Sequence, residues 1–199
     1  YEPEFEEALI KLLKNNGWSG KMLNYPTEEQ LIKNWADILF NNNKGIDRLN
    51  GQPLTKGEMQ QLLDKVKELR TPLALNGFIN GKSVTITRDN PADKLHFGKD
   101  VSLTIYNRLE IASGKSFYQI ARQPKFEHHS FILPKRRGDL VLLINGMPVI
   151  HIELKSSKVP AMHAVNQITD KYIPEGVFTD CIFSLVQIFV AMNPEEMMY

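Results

Sequence analysis

The sequence predicts an α/β domain, with helices packed on a central sheet and residues 1–199 forming one domain. Three observations lead there. Apolar residues recur at helical spacing through the first third of the chain, whereas short β-branched and aromatic runs take over from residue 84. Two aliphatic runs, 140–144 and 149–154, flank Asn145-Gly146, a strong hairpin signal. Helices that precede a sheet of this kind bury their apolar stripe against it; a boundary near 70–75 is the alternative.

The elements follow in order. Phe5, Leu9, Leu12 and Leu13 share one face of a helix over 4–16 that stops before Gly17. After Pro26, Thr27 and Gln30 form a capping box for a second helix carrying Leu31, Ile32, Trp35, Ile38 and Leu39. Thr55 and Glu58 repeat that signature for a third helix, running to about Leu69, and Pro72 blocks its continuation. Trp18 and Trp35 have core spacing. Strands are expected at 84–87, 101–106 and 117–122, then the hairpin. A helix over about 160–172 follows, with Pro160 in its first turn. Residues 177–191 should contain a buried strand, with a helix in the first half as the alternative. There are no repeats and no low-complexity tract.

Composition narrows the function. Charged residues make up 24% and the net charge is +1, so attraction to nucleic acid must come from local patches. The single cysteine, Cys181, excludes an internal disulfide framework and fits a reducing cytoplasm. Its apolar surroundings suit an inert thiol. No apolar stretch approaches the ~20 residues of a membrane-spanning helix, and the start lacks the pattern of a signal peptide. Neither end carries a natural start or stop signal, so the chain is expected to be a fragment. It contains no Gly-x-x-x-x-Gly-Lys-Ser/Thr phosphate loop.

Chemistry concentrates at the hairpin. Asp139, Glu153 and Lys155 stand at the ends of strands that are otherwise apolar, where charge is costly unless paired or bound to a metal. Alternation puts Glu153 and Lys155 on one face, with His151 beside them. A two-residue Asn145-Gly146 loop would pair Asp139 with Ile152 and turn it away. A three-residue loop ending in a left-handed glycine would pair it with His151, diagonal to Glu153, and a bulge elsewhere gives the same parity. The shared face is the expectation. Two carboxylates held together repel unless a cation neutralises them, and hard oxygen donors suit Mg²⁺. Lys155 can then orient a water or stabilise developing negative charge. The ordinary alternative is a solvated Glu153–Lys155 pair on a surface hairpin.

Lys135, Arg136 and Arg137 run directly into Asp139 and are candidates for phosphate contacts, with a solvated loop end as the alternative. Lys158 extends the positive rim and reads as surface. His128 and His129, beside Arg122 and Lys125, point opposite ways on a strand and make a poor chelate. His151 reads as a hydrogen-bonded structural histidine, with a part in shaping the pocket as the alternative.

An acidic residue, a strand turn and Glu-x-Lys on an apolar strand resembles the PD-(D/E)xK nuclease superfamily. Closer still is the resemblance to the N-terminal nuclease domain of the R subunit of type I restriction-modification enzymes. It is carried by Arg137-Gly138-Asp139-Leu140-Val141, by Asn145-Gly146-Met147-Pro148-Val149-Ile150 and by Ile152-Glu153-Leu154-Lys155-Ser156. Phe5-Glu6-Glu7-Ala8-Leu9-Ile10 with Leu13 and Gly17-Trp18 resembles the family's opening. Ala164-Val165-Asn166-Gln167-Ile168, then Tyr172 and Ile173-Pro174-Glu175, resembles its late helix. Residues 40–95 contribute little.

The resemblance implies a restriction-endonuclease-like mixed sheet flanked by helices. It implies Asp139 and Glu153 as Mg²⁺ ligands, Lys155 as the catalytic lysine, and Glu6 (Glu7 as fallback) near the metal. Gln167 as a catalytic residue and Tyr172 as a nucleic-acid contact would fill a Gln-x-x-x-Tyr motif, but four residues separate them here; on an α-helix that turns the tyrosine about 140° away from the glutamine. Gly138 stands where the superfamily label has proline, a change expected to matter little. The resemblance further implies double-stranded DNA as substrate, methyltransferase and specificity subunits as partners, a prokaryotic cytoplasm, and ATP bound by motor domains beyond Tyr199. The isolated fragment would then cut weakly or not at all. The runner-up is a non-catalytic DNA-binding or docking module; a third reading is another PD-(D/E)xK enzyme, such as a repair nuclease or an RNase.

Overall fold

Among the described residues, six strands form one mixed sheet, named here in their spatial order. They are β1 Leu23–Asn24, β4 Tyr118–Arg122, β7 Leu140–Ile144, β8 Met147–Leu154, β9 Ile188–Met192 and β10 Met197–Met198. β1 runs parallel to β4 and β8 parallel to β9, and the remaining neighbours are antiparallel. The computed structural model describes residues 2–44, 48–69, 71–79, 83–105, 116–126 and 135–199. Tyr106, His128 and His129 lie outside them.

The chain separates into two compact units, Tyr1–Gln30 with Phe117–Tyr199, and Leu31–Ser116. In the first, α1 (Glu2–Asn15) lays Ile10, flanked by Phe5, Leu9 and Leu13, against Ile120, Leu140, Leu142, Ile152 and Leu154. Those residues alternate along their strands, so they define one face of the sheet. Trp18 packs edge-on against Tyr118, with ring centroids 5.3 Å apart. After β8 come α5 (Met162–Gln167), one turn of π-helix (Ile168–Tyr172) and a short 3₁₀ turn (Ile182–Leu185). The sheet flanked by helices is the α/β, restriction-endonuclease-like architecture expected. β1, only two residues long, carries no periodicity and was not foreseen. Two minor strands, β5 (Lys125–Phe126) and β6 (Arg136–Arg137), pair with each other beside it.

The hairpin has a two-residue turn. Ile144 pairs with Met147, and Asn145 and Gly146 both take positive φ, +50° and +84°, as a type I′ turn requires. The three-residue loop is therefore not formed. Parity is restored farther along, because Leu143 pairs with Pro148 while Leu142 pairs with Ile150, leaving Val149 as an extra residue. Proline cannot donate to a ladder, and within a central strand it is tolerated at a bulge. Beyond it Leu140 faces Ile152, and one further step sets Asp139 opposite Glu153.

The second unit holds most of α2 (Glu28–Asn43), α3 (Lys56–Lys67), α4 (Pro72–Ile79) and the hairpin β2 (Ser83–Thr87)–β3 (Asp100–Thr104). Both capping boxes form: Thr27 with Gln30, and Thr55 with Glu58. α4, where only a break was expected, starts at Pro72, a position that suits a first turn. Trp35, Leu39, Leu49, Leu62 and Leu103 are fully buried, and the Asn43 amide bonds both backbone groups of Thr104.

Arg88 is buried in this unit beside Glu58 and Asp93, also buried. Its five donors reach Asp93, Glu58 and the carbonyls of Pro53, Leu49 and Gln52 at 2.6–3.2 Å. Removing one partner of such a cluster strands the others without water. Arg88→Ala is expected to lower unfolding free energy by about 3–5 kcal/mol, read as a shift in the urea midpoint.

Candidate active site

Glu153 occupies the penultimate position of β8, with strands paired on both sides, and is 2% exposed. It lies on the face opposite α1, with His151 and Val141. Asp139 joins that face through the bulge, and its Oδ2 accepts the Leu154 N–H at 2.7 Å. Burial, together with the negative charge of Glu153, pushes the Asp139 carboxyl up to about 7, against the pull of the Leu154 N–H and Lys155. Lys155 lies 3.9 Å from Glu153 Oε1 and donates to Gln167 Oε1 at 2.8 Å.

Gln167 links the lysine to the acid. Its Nε2 donates to Glu153 Oε1 and, at 2.5 Å, to the Tyr172 hydroxyl. That hydroxyl donates to the Arg137 carbonyl at 2.9 Å and lies 3.2 Å from Glu153 Oε1. Burial, then the Glu153 charge, hold the phenol well above its ordinary range, so it stays a neutral donor. The sequence spacing had turned Tyr172 away from Gln167, and the structure corrects this. The π-helical turn begins directly after Gln167, with Ile173 N–H bonded to the Ile168 carbonyl and Val177 N–H to that of Tyr172. Bonds of that i→i+5 kind make five residues about one turn, so the two side chains meet. The extra residue was itself the signal.

The other expected site residues are placed as follows. Glu6 is buried on α1 against the opposite face, its carboxylate held by Arg122 Nε at 2.5 Å and by Gln123. Glu7 pairs with the same arginine at 2.6 Å. Neither is gathered with Asp139 and Glu153. Among the described residues no three His, Cys, Asp or Glu side chains converge in a metal-binding group. The donor set offered to a cation is thus two carboxylates, which fits an ion that keeps several waters and binds through one or two acids, as Mg²⁺ does, better than one needing a full protein cage.

Arg136 is committed to Glu175 through two bonds, at 2.7 and 2.9 Å, while Lys135 and Arg137 are exposed. Tyr172 is buried with its hydroxyl turned inward, so it supports the acids from beneath. Lys158 is exposed. Burial pushes the Cys181 thiol up to about 12, which makes it unreactive near neutral pH. Gly138 matters more than its sequence suggested. A Cβ there would lie 2.8 Å from both His151 Cε1 and Phe126 Cζ, and its N–H donates to the Pro124 carbonyl. Proline would bring both a clash and a lost donor.

The sequence model of the N terminus of the type I restriction enzyme R protein matches residues 2–199. The chain belongs to that family. It is 31% identical over 205 residues to the type I restriction enzyme SsaAORF53P endonuclease subunit of Staphylococcus saprophyticus, covering 100% of this chain. It is 29% identical to the SauCOLORF180P and SauMRSORF196P endonuclease subunits of Staphylococcus aureus strains COL and MRSA252. This R-protein N terminus spans 19% of the length of each of those relatives. Among its described residues no helix is long and apolar enough to cross a membrane.

Two outcomes are expected. The folded-state pKa of Asp139 is raised, so its stabilising contribution is full below the unfolded value near 3.8 and is lost as pH rises through about 7. Asp139→Asn should therefore raise the unfolding free energy of the metal-free R-protein N terminus at pH 8, by an amount on the order of a few kcal/mol at ~1.4 kcal/mol per pK unit, read as a higher urea midpoint. The gain should fade towards pH 4. Deleting Thr169, an exposed residue in the π-turn, should let an α-helix run through with the glutamine and tyrosine one ordinary turn apart. Thermal melts should show no loss of stability.

Proposed function

We propose that this R-protein N terminus is the DNA-cleaving domain of a type I restriction enzyme, a Mg²⁺-dependent endodeoxyribonuclease of the PD-(D/E)xK kind. The observation that carries this reading is the convergence of Asp139, Glu153 and Lys155 on one sheet face. The family, whose relatives are named endonuclease subunits, supports it over a docking module.

Asp139 and Glu153 would hold the cation. Bound there, Mg²⁺ would neutralise the two acids, polarise a scissile phosphate and make a nearby water more acidic. Gln167, itself oriented by the Tyr172 hydroxyl, fixes the rotamer of Glu153, and the Leu154 N–H fixes Asp139. Lys155, anchored on the Gln167 carbonyl, keeps the rest of its ammonium to orient an attacking water and to stabilise charge growing on the phosphate oxygens. The water oxygen would bond to phosphorus as the water gives up a proton to solvent, the 3′ phosphorus–oxygen bond would break, and the leaving alkoxide would take a proton back from solvent, so that one water is consumed for each bond cut. Lys135 and Arg137, exposed beside Asp139 in the chain, would grip neighbouring phosphates without reading bases. Choice of DNA site would fall to specificity and methyltransferase subunits. Cutting would wait on ATP-driven translocation by parts of the R protein outside these residues.

Calorimetric titration with Mn²⁺ tests the metal site, with binding expected in the wild type and lost in Asp139→Ala. In the assembled enzyme with ATP, Lys155→Ala should cut DNA about 10²–10³-fold more slowly while ATP hydrolysis continues. Equal Mn²⁺ binding by wild type and Asp139→Ala would sink the reading.

A further inference from the structure

We infer that His151 is a positioning residue, which locks the Glu153 carboxylate from the side opposite Gln167 and so sets the affinity of the site for its divalent cation. The inference rests on the metal-site reading above. His151 is 0% exposed, and its ring is enclosed by Phe126, Tyr172, Phe178 and Phe189 with centroids 5.3–6.2 Å away. Its Nε2 lies 3.2 Å from Glu153 Oε2, while Nδ1 is buried with no hydrogen-bond partner among the described residues.

A phenylalanine would fill this aromatic box without stranding a ring nitrogen, so packing alone gives no reason for a histidine. The asymmetry also fixes the tautomer. A proton on Nδ1 would be a buried donor without an acceptor and would aim the Nε2 lone pair at a carboxylate. A proton on Nε2 gives Glu153 a donor and leaves only a lone pair unmet, the cheaper of the two. Glu153 is then held at both oxygens, Oε2 by His151 and Oε1 by Gln167. Its carboxylate plane cannot turn, and one lone pair of Oε2 stays outside those bonds. The main chain makes room for this arrangement at Gly138, directly before Asp139, where a Cβ would strike the His151 ring.

Three variants of the chain, titrated with Mn²⁺ by calorimetry and melted to check folding, test the inference. His151→Phe should keep a wild-type Tm or exceed it, yet bind Mn²⁺ about 10–100-fold more weakly, as outer-shell partners of metal ligands do. His151→Gln, whose amide reaches the place of Nε2, should recover most of the affinity. Nitrogen NMR of the wild-type ring, which needs no variant, should find the proton on Nε2. Wild-type Mn²⁺ affinity in folded His151→Phe, with binding lost in Glu153→Ala, overturns the inference alone; so does a proton on Nδ1. Unchanged binding in Glu153→Ala overturns the metal-site reading and takes this inference with it.

Discussion

Proline at position 148 cannot donate a ladder hydrogen bond, and β8 absorbs it by leaving Val149 without a partner across the hairpin. Side chains alternate strictly along a strand, so one unpaired residue reverses which face every later position meets. With a regular ladder behind the Asn145-Gly146 turn, Asp139 would stand across from Ile152 and point towards α1. With the bulge it stands across from Glu153. The tight turn and the acid pair are compatible only because the extra residue lies between them.

Bringing two acids together in a half-dry place is unfavourable, and the surrounding residues are arranged around that fact. Asp139 is pushed up to about 7 yet kept in place by a main-chain donor. Glu153 accepts from Gln167 at Oε1, and His151 Nε2 lies 3.2 Å from its Oε2. Lys155 is tied to the same glutamine, so one amide orients both the acid and the ammonium group. The π-turn is a local departure from regular geometry and Gly138 leaves room for the His151 ring, and each serves this cluster. Glu6, by contrast, is neutralised by Arg122 across the sheet.

Much of this was legible in the chain. The hairpin, the three long helices with their Thr27–Gln30 and Thr55–Glu58 caps, and the shared face of Glu153 and Lys155 follow from period and turn chemistry. The position of the bulge did not, because Met147 to Ile152 is apolar nearly throughout and a register slip leaves no polar residue misplaced. Pro148 was the one mark of it. Tyr172 was misjudged because an α-helical period was applied to a segment holding an inserted residue. Glu58 was recognised as a cap, but its bond to Arg88 thirty positions away has no local signature. The same holds for the unpartnered Nδ1 of His151, which depends on where four aromatic rings meet.

The account comes down to a cation shared by two acids on the face away from α1. Anomalous diffraction from crystals of the chain soaked in Mn²⁺ tests this most directly. The account predicts a peak touching the carboxylates of both Asp139 and Glu153, with Glu6 still on Arg122. A saturated crystal in which those acids carry no peak, or in which Asp139 lies on the α1 side of the sheet, would contradict it.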